Sequence, residues 1–215
     1  MEDRRSIALL VALTGILLGI GWYWKSNAPR IEMGPYQALG EIAAEEVSKL
    51  IGHRGTITLV VEDTSEGKDA VLETQLAAFQ VALKRSGQAT VNRVESIRLD
   101  PMARMAGGGA VPHDQLRRIA QQAPTPGALV LFMPCPPLGP DDVVALRQVK
   151  VRLVVLSAHI PGYKEMLRNG AIDLAILPKP TSPDEPNGPI PVTVRQWFDR
   201  EYRLVTPDQA DSLAY

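Results

Sequence analysis

The spacing of apolar and polar positions divides most of the chain into short helices and strands. Residues 36–51 carry apolar side chains at helical spacing and charged side chains on the opposite face, which predicts an amphipathic helix. Residues 56–61 (TITLVV) are rich in apolar and β-branched side chains, as in a strand that is covered on both faces. A less apolar strand at residues 90–99 suits the edge of a sheet. Further apolar runs predict buried strands at residues 128–133, 151–156 and 172–177.

Helical patterns lie between these strands, and this alternation determines the predicted fold. They cover residues 69–86, 113–122, 141–149 and 162–168. Residues 100–112 are predicted to be a loop because they hold three consecutive glycines. Strands that alternate with helices predict right-handed βαβ crossovers. We therefore expect an α/β domain, a three-layer α/β/α sandwich with a mostly parallel five-stranded sheet. Residues 195–206 are predicted to return to this sheet as a helical turn and a strand.

The first apolar run is of a different kind, because it lacks a polar face. Residues 7–24 (IALLVALTGILLGIGWYW) contain no charged side chain. As an α-helix they would reach about 27 Å, close to the hydrocarbon thickness of a bilayer. Arg4 and Arg5 precede the run, and Trp22 and Trp24 close it as an interfacial belt. The sequence therefore predicts a single transmembrane helix ahead of the α/β domain.

The charges beside this span predict its orientation. The two arginines favour a cytoplasmic N-terminus, so the rest of the chain is expected to be exported across a bacterial inner membrane. The alternative is a cleaved signal peptide with its site at Ser26-Asn27-Ala28, although Pro29 directly after the cut disfavours cleavage. The expected segments are a cytoplasmic N-terminus (1–6), the transmembrane anchor (7–24), a linker (25–34), the periplasmic α/β domain (35–180) and a proline-rich linker with the returning C-terminal segment (181–215).

Composition and charge exclude several classes of function. A formal net charge of −1 provides no basic surface for nucleic acid, and aromatic residues make up only 5% of the chain. The single cysteine, Cys135, can form neither an internal disulfide nor a cysteine-rich metal site. His53, His113 and His159 share no metal-ligand spacing, and no catalytic motif occurs. We therefore predict no metal, no cofactor and no enzymatic activity.

The residues that could bind a ligand follow the predicted strands. In an open parallel sheet, ligands bind beyond the carboxyl ends of the strands, so polar residues at these ends meet at one edge. The polar residues at these ends, together with the cysteine, are Glu62, Asp63, Thr64, Cys135, Ser157, His159 and Lys179. Our candidate ligand- or partner-binding residues are Glu62, Asp63, Thr64, Ser157 and His159.

Each of these residues also has an ordinary structural explanation. Glu62 and Asp63 could cap the helix that follows them. Ser157 could be a turn hydroxyl, and His159 could be a surface histidine. Cys135 could be a small buried hydrophobe, since no paired base is visible in the sequence. Catalysis by Cys135 with His159 is therefore the least favoured function.

Three of the strand ends resemble bacterial response-regulator receiver domains. Glu62-Asp63 resembles their acidic pair after the first strand, Ser157 their hydroxyl after the fourth, and Lys179 their lysine after the fifth. The phosphate-accepting aspartate is missing, because the third strand ends in Phe132-Met133-Pro134. This resemblance implies a degenerate receiver-like domain that acts in protein interaction.

A broader resemblance covers residues 36–178. The leading helix at residues 36–44 (YQALGEIAA), the strand at 55–60 (GTITLV) and the final segment at 167–176 (LRNGAIDLAI) resemble the second lobe of type I periplasmic sugar-binding proteins of transport systems. This resemblance explains the leading helix and the exported location, which the receiver resemblance does not explain. It implies a non-enzymatic binding or interaction module that resembles one lobe of such a protein.

The resemblance leaves the ligand and the partner open. Proteins of that family close two lobes around a sugar, and this sequence accounts for one. Either a partner supplies the other half of the cleft, or sugar binding has been lost. Aromatic sugar platforms are not evident near the predicted strand ends. We expect a small sugar-like ligand or a protein partner that completes the cleft, with the chain in a larger membrane assembly or oligomer.

Overall fold

The computed structural model describes residues 32–65, 67–87, 89–156, 162–180 and 190–213. The helices in these ranges are α1 (Gly34–Leu50), α2 (Ala70–Ser86), α3 (Pro101–Gly107), α4 (His113–Gln122), α5 (Pro140–Val149), α6 (Tyr163–Arg168) and α7 (Val194–Glu201), with a 3-10 helix at Pro207–Ser212. The strands are β1 (Gly55–Glu62), β2 (Ala89–Ile97), β3 (Gly127–Leu131), β4 (Val151–Leu156), β5 (Leu174–Pro178) and β6 (Tyr202–Val205). The predicted alternation of strands and helices is confirmed.

The strands of the described residues form one sheet in the order β2-β1-β3-β4-β5-β6. β1 pairs in parallel with both β2 and β3, and parallel pairing continues through β4 to β5. β6 pairs antiparallel with β5, with Val205 opposite Ala175 and Tyr202 opposite Pro178. The mostly parallel sheet is confirmed, but the predicted count of five strands is wrong. The C-terminal segment does return to the sheet, and it adds the sixth strand at the edge.

Apolar side chains on each face of the sheet pack against a separate layer of helices. One core joins Leu59 and Ile176 to helices α1, α2 and α7. The other core joins Val60 and Val155 to helices α4, α5 and α6. Successive residues of a strand point to opposite faces, so a strand covered on both faces needs an apolar side chain at every position. The three-layer α/β/α arrangement follows from this pattern.

Residues 100–112, predicted to be a loop, contain the short helix α3. Pro101 is its first residue, where the missing N–H costs no hydrogen bond, and the Arg104 amide donates to the Asp100 carbonyl at 2.9 Å. Gly108 and Gly109 follow with φ angles of 59° and 76°, left-handed values that suit a helix end. The loop prediction is wrong because these glycines terminate a helix instead of extending an irregular segment.

The predicted membrane span at residues 7–24 lies outside the described residues, as does the alternative cleavage site. Among the helices described between Glu32 and Leu213, none combines the length and the hydropathy needed to cross a bilayer. The compact unit that contains the sheet begins at Met33. The anchor and the segment boundaries therefore remain predictions from sequence.

The close approach of α1 to α2 at Gly40 can be tested by substitution. A Cβ at Gly40 would lie 2.1 Å from the backbone carbonyl oxygen of Gln75. Because that atom belongs to a helix backbone, we expect Gly40→Ala to lower the free energy of unfolding by about 1–3 kcal/mol, despite the higher helix propensity of alanine. The measurement is urea unfolding of the full-length chain.

The matched control is Gly107→Ala, where a Cβ would meet nothing within 4 Å. This variant should be as stable as the parent or slightly more stable, because only the propensity term remains. Equal unfolding free energies for the two variants would contradict the close packing of α1 and α2.

Candidate functional site

The strand order reverses at β1, which lies between β2 and β3. Helix α2 connects β1 to β2 on one face of the sheet, whereas α5, which connects β3 to β4, lies on the other face. The segments that follow β1 and β3 therefore diverge and open a crevice at the carboxyl edge. This crevice holds two adjoining cavities of about 420 and 390 Å³. We call them the polar cavity and the apolar cavity.

The polar cavity lies at the loop that follows β1. Its charged and hydroxyl groups come from that loop, from the residue after β2 and from α3, and they are Glu62, Asp63, Thr64, Ser65, Asp69, Arg98 and Arg104. The Arg104 guanidinium donates to a carboxylate oxygen of Glu62 and forms an ion pair with it. The structure thus brings together the predicted residues Glu62, Asp63 and Thr64 and adds two arginines to them.

Asp63 uses its carboxylate to hold the loop. The Ser65 amide donates to Asp63 Oδ1 at 2.9 Å. This hydrogen bond, followed by one from the Ser65 side chain and by the nearby Arg98 charge, lowers the pKa of Asp63 below its usual range. Asp63 is therefore ionised at neutral pH, as a carboxylate that stabilises a tight turn.

Asp69 forms the N-cap of α2. Its Oδ1 accepts hydrogen bonds from the amides of Val71 and Leu72 at 2.9 and 3.1 Å. An N-cap carboxylate satisfies amides that have no partner within the helix. The capping role considered for Glu62 and Asp63 thus belongs to Asp69. The Glu62 carboxylate differs from those of Asp63 and Asp69, because it accepts a hydrogen bond from an arginine side chain.

The apolar cavity adjoins the polar cavity and shares Glu62 and Asp69 with it. Phe132, directly after β3, and Tyr202, at the start of β6, form part of its wall, and Gln75 of α2 adds a polar group. The other lining residues are mostly apolar: Leu39, Val71, Leu72, Pro134, Leu156, Ile176 and Pro178. Aromatic platforms are not evident from the sequence near the strand ends, but tertiary packing brings these two rings to the crevice.

Both aromatic rings are supported by neighbouring rings. Phe132 meets Phe79 edge to face, with centroids 5.7 Å apart and ring planes at 80°. The Tyr202 ring lies 5.7 Å from the Phe198 ring. Burial raises the pKa of Tyr202 to about 12, so its hydroxyl stays protonated at neutral pH and can donate a hydrogen bond.

The remaining candidate residues lie elsewhere. Ser157 and His159 are outside the described residues, so their role stays a prediction. The Lys179 amine donates to the backbone carbonyl of Asp199 on α7. Phe132, which follows the third strand where a receiver domain would have its phosphate-accepting aspartate, packs against Phe79.

Cys135 is fully buried beside Tyr163. Its amide donates to the Tyr163 hydroxyl oxygen at 3.2 Å. Burial raises the pKa of the Cys135 thiol to about 12, which leaves almost no thiolate at neutral pH. The side chain behaves as a small hydrophobe in the core.

Several residues of the crevice were missed from the sequence, among them Gln75, Arg98, Arg104, Phe132 and Tyr202. Phe132 had a usable signal, because it stands at the end of a predicted buried strand. Arg104 was hidden by the loop prediction for residues 100–112. Gln75 and Tyr202 carry no local signal, since only packing of α2 and β6 against the sheet brings them to the crevice.

The chemistry of the crevice is that of recognition by hydrogen bonds and flat apolar faces. Glu62 offers acceptor oxygens, and Gln75 and Tyr202 offer both donors and acceptors. Among the residues that the structure describes, no group of three or more His, Cys, Asp or Glu side chains is arranged to hold a metal ion. Such a crevice can hold a polyhydroxylated molecule with one apolar face.

The same fold occurs in solved structures of sugar-binding proteins. An arabinose-binding protein from Geobacillus stearothermophilus matches with a TM-score of 0.53 and 13% identity, over 84% of this chain and 63% of its own. A sugar-binding protein of an ABC transporter from Bacillus halodurans gives 0.52 and 14%, over 84% and 64%. The fructose-binding periplasmic domain of a hybrid two-component system gives 0.52 and 12%, over 82% and 58%.

These matches confirm, at the level of the fold, the resemblance to type I periplasmic binding proteins. The chain spans less than two thirds of the length of each of these three proteins. No family model matches the sequence, and no curated protein matches it significantly.

The burial of Cys135 predicts slow chemical labelling. At pH 8 we expect iodoacetamide to alkylate the folded chain far more slowly than it alkylates glutathione, because the thiol is both inaccessible and protonated. The same chain unfolded in guanidinium chloride is the control, and it should react at the rate of a free thiol. Mass spectrometry gives the stoichiometry directly, because the chain has a single cysteine. Rapid labelling of the folded chain would contradict the buried placement.

Proposed function

We propose that this chain is a membrane-anchored, extracytoplasmic binding module that holds a small sugar-like ligand at the carboxyl edge of β1 and β3. The observation that carries the proposal is the crevice itself, where an aromatic, apolar cavity adjoins a polar one. The fold shared with sugar-binding proteins of transport and sensing systems supports a ligand-binding role.

A sugar matches this crevice because its ring has hydroxyl groups at the edge and C–H groups on its faces. In the proposal, Phe132 and Tyr202 contact a C–H face, as the rings line the apolar cavity. Glu62 accepts hydrogen bonds from the sugar hydroxyls, and Gln75 both donates and accepts. Polar groups that fix orientation within a mainly apolar wall are typical of small-molecule sites.

The proposed role is binding without catalysis. The Cys135 thiol is buried with a raised pKa, which is unsuited to a nucleophile. Asp63 and Asp69 accept hydrogen bonds from backbone amides of their own loop and helix. Within the described part of the crevice, the groups that remain are suited to recognition.

A protein partner is proposed to complete the cleft. The chain resembles one lobe of a two-lobed protein, and it spans only 63% of the arabinose-binding protein. Helix α3 flanks the polar cavity through Arg104, and its Met102 and Met105 side chains are 74% and 81% exposed. Flexible thioether side chains suit a surface that adapts to a partner.

The anchor gives this partnership a physical basis. Residues 7–24 are proposed to hold the module on the periplasmic side of the inner membrane. Tethering raises the effective concentration of two partners in one membrane, so a weak contact between two half-sites is sufficient. A transporter or sensor in the same membrane is the expected kind of assembly.

Ligand binding should raise the melting temperature of the full-length chain by mass action. At a sugar concentration of 100 Kd, binding adds about 2.7 kcal/mol, which corresponds to roughly 5–10 °C for a domain of this size. The probes are D-arabinose, D-fructose and a wider panel of pentoses and hexoses. A melting temperature unchanged across the panel would contradict sugar binding by this chain alone.

Glu62→Gln tests the site itself. Loss of the carboxylate should weaken the binding of a sugar hit by about tenfold or more, because it removes a charge-assisted hydrogen bond. Glu45→Gln is the matched control, since Glu45 is an exposed carboxylate on α1, remote from both cavities. Equal affinity of the two variants for the sugar would contradict binding in the crevice.

The orientation of the anchor can be measured in bacterial spheroplasts that express the chain with a C-terminal tag. External protease should remove the tag while a cytoplasmic marker stays intact, because the domain is proposed to be periplasmic. Lysed spheroplasts provide the positive control. A tag that is protected until lysis would contradict the proposed orientation and favour a cytoplasmic, receiver-like interaction domain.

A further inference from the structure

A third cavity, of about 450 Å³, lies at the amino edge of the sheet, opposite the crevice. It is formed where α5 ends, β4 begins and α6 turns towards β5, and its polar lining is Arg147, Lys150, Arg152 and Asp173. We call it the basic cavity. Its volume falls in the range of about 300–1,000 Å³ that is usual for small-molecule sites.

Arg147 lines the basic cavity next to Gly170, whose lack of a side chain leaves room for the guanidinium. Its guanidinium donates to the backbone carbonyl of Asn169. A Cβ on Gly170 would lie 2.9 Å from Arg147 Nη2, and Gly170 has a φ of 68°. The guanidinium fits there because position 170 has no side chain. Its partner is a neutral carbonyl, so within the described part of the chain its charge has no ion-pair partner.

Lys150 contributes a second uncompensated charge. It ends α5 in the left-handed conformation, with a φ of 57°, at a position where glycine or asparagine is favoured. Among the described residues, no ion pair or hydrogen bond is recorded for its amine.

Arg152 brings a third cation to the same cavity from β4. It pairs with Asp173 at 2.7 Å, and Asp173 also accepts from the Leu153 amide at 2.8 Å. The cavity thus has three cations and one carboxylate. Arg147 and Lys150 lie at the end of α5, where cations complement the helix dipole, whereas the charge of Arg152 is paired with Asp173.

We propose that the basic cavity is a binding site for a small oxyanion that carries phosphate or carboxylate groups. The Arg147 guanidinium and the Lys150 amine donate to the oxyanion, while Asp173 keeps Arg152 in position at the rim. Guanidinium groups bind phosphate and carboxylate through paired hydrogen bonds, and an amine adds a point charge. This site is separate from the crevice and does not depend on sugar binding.

The experiment titrates inorganic phosphate and, separately, citrate into the full-length chain in detergent, with ionic strength held constant by sodium chloride. We expect a saturable rise in melting temperature for at least one of them, and the stronger ligand identifies which oxyanion the site prefers. A rise that does not saturate, or that sodium chloride reproduces, would overturn the proposal.

Variants connect the effect to the cavity. Lys150→Gln should weaken binding about tenfold, because a charge-assisted contact is lost. Its amine has no recorded partner in the described structure, so the fold should be retained. Lys84→Gln is the matched control, since Lys84 is also exposed in the last turn of a helix but lies on α2.

Arg147→Lys keeps the charge but loses the paired geometry, and it should also weaken binding. Parental affinity in both Lys150→Gln and Arg147→Lys would overturn the proposal.

Discussion

The position of β1 between two parallel neighbours is the constraint on which the rest of this domain depends. β1 pairs with β2 on one side and with β3 on the other, so its backbone groups are satisfied inside the sheet. Residues 57–61 are all buried, which requires a helical layer on each face. The connections that follow β1 and β3 leave on opposite faces of the sheet. The crevice at their carboxyl ends is a consequence of this topology, before any side chain is considered.

The polar side chains at the crevice differ in how far the fold depends on them. Asp63 and Asp69 hold backbone amides, so their removal would disturb the loop and the start of α2. The ion pair of Glu62 with Arg104 is different, because the arginine side chain is 56% exposed and the glutamate 31%. Exposed pairs contribute only about 0–1 kcal/mol to stability. Glu62 can therefore exchange its partner for a ligand at little cost to the fold.

The sequence predicted those parts of the structure that depend on local burial. Strands such as residues 128–133 and 151–156 are recognisable because nearly every position is apolar, as is usual in a strand covered on both faces. Helix α3 escaped prediction because it is only seven residues long, and the glycines after it dominate the local pattern. The sixth strand was predicted to reach the sheet, but its partner and direction depend on pairing with β5.

The candidate site was predictable to the extent that topology alone determines it. Glu62, Asp63 and Thr64 follow a buried strand, so their position at the carboxyl edge could be inferred from one segment of sequence. Tyr202 reaches the same crevice from the far end of the chain, and Gln75 reaches it from a helix face. No local pattern encodes such distant contacts, because they depend on how whole elements pack. Aromatic platforms assembled in this way are invisible to motif searches.

A crevice along one sheet edge also limits how tightly it can bind. Small-molecule sites usually cover about 70–90% of the ligand surface. Two shallow cavities along one sheet edge provide one wall, so a ligand held there keeps its opposite side towards solvent. A second wall adds both contact area and exclusion of water, which strengthens every hydrogen bond made by Glu62 and Gln75. In the proposed membrane-anchored assembly, the chain would meet such a partner at high effective concentration, so neither wall would need high affinity of its own. Weak binding by the isolated chain and strong binding in an assembly would then have the same physical cause.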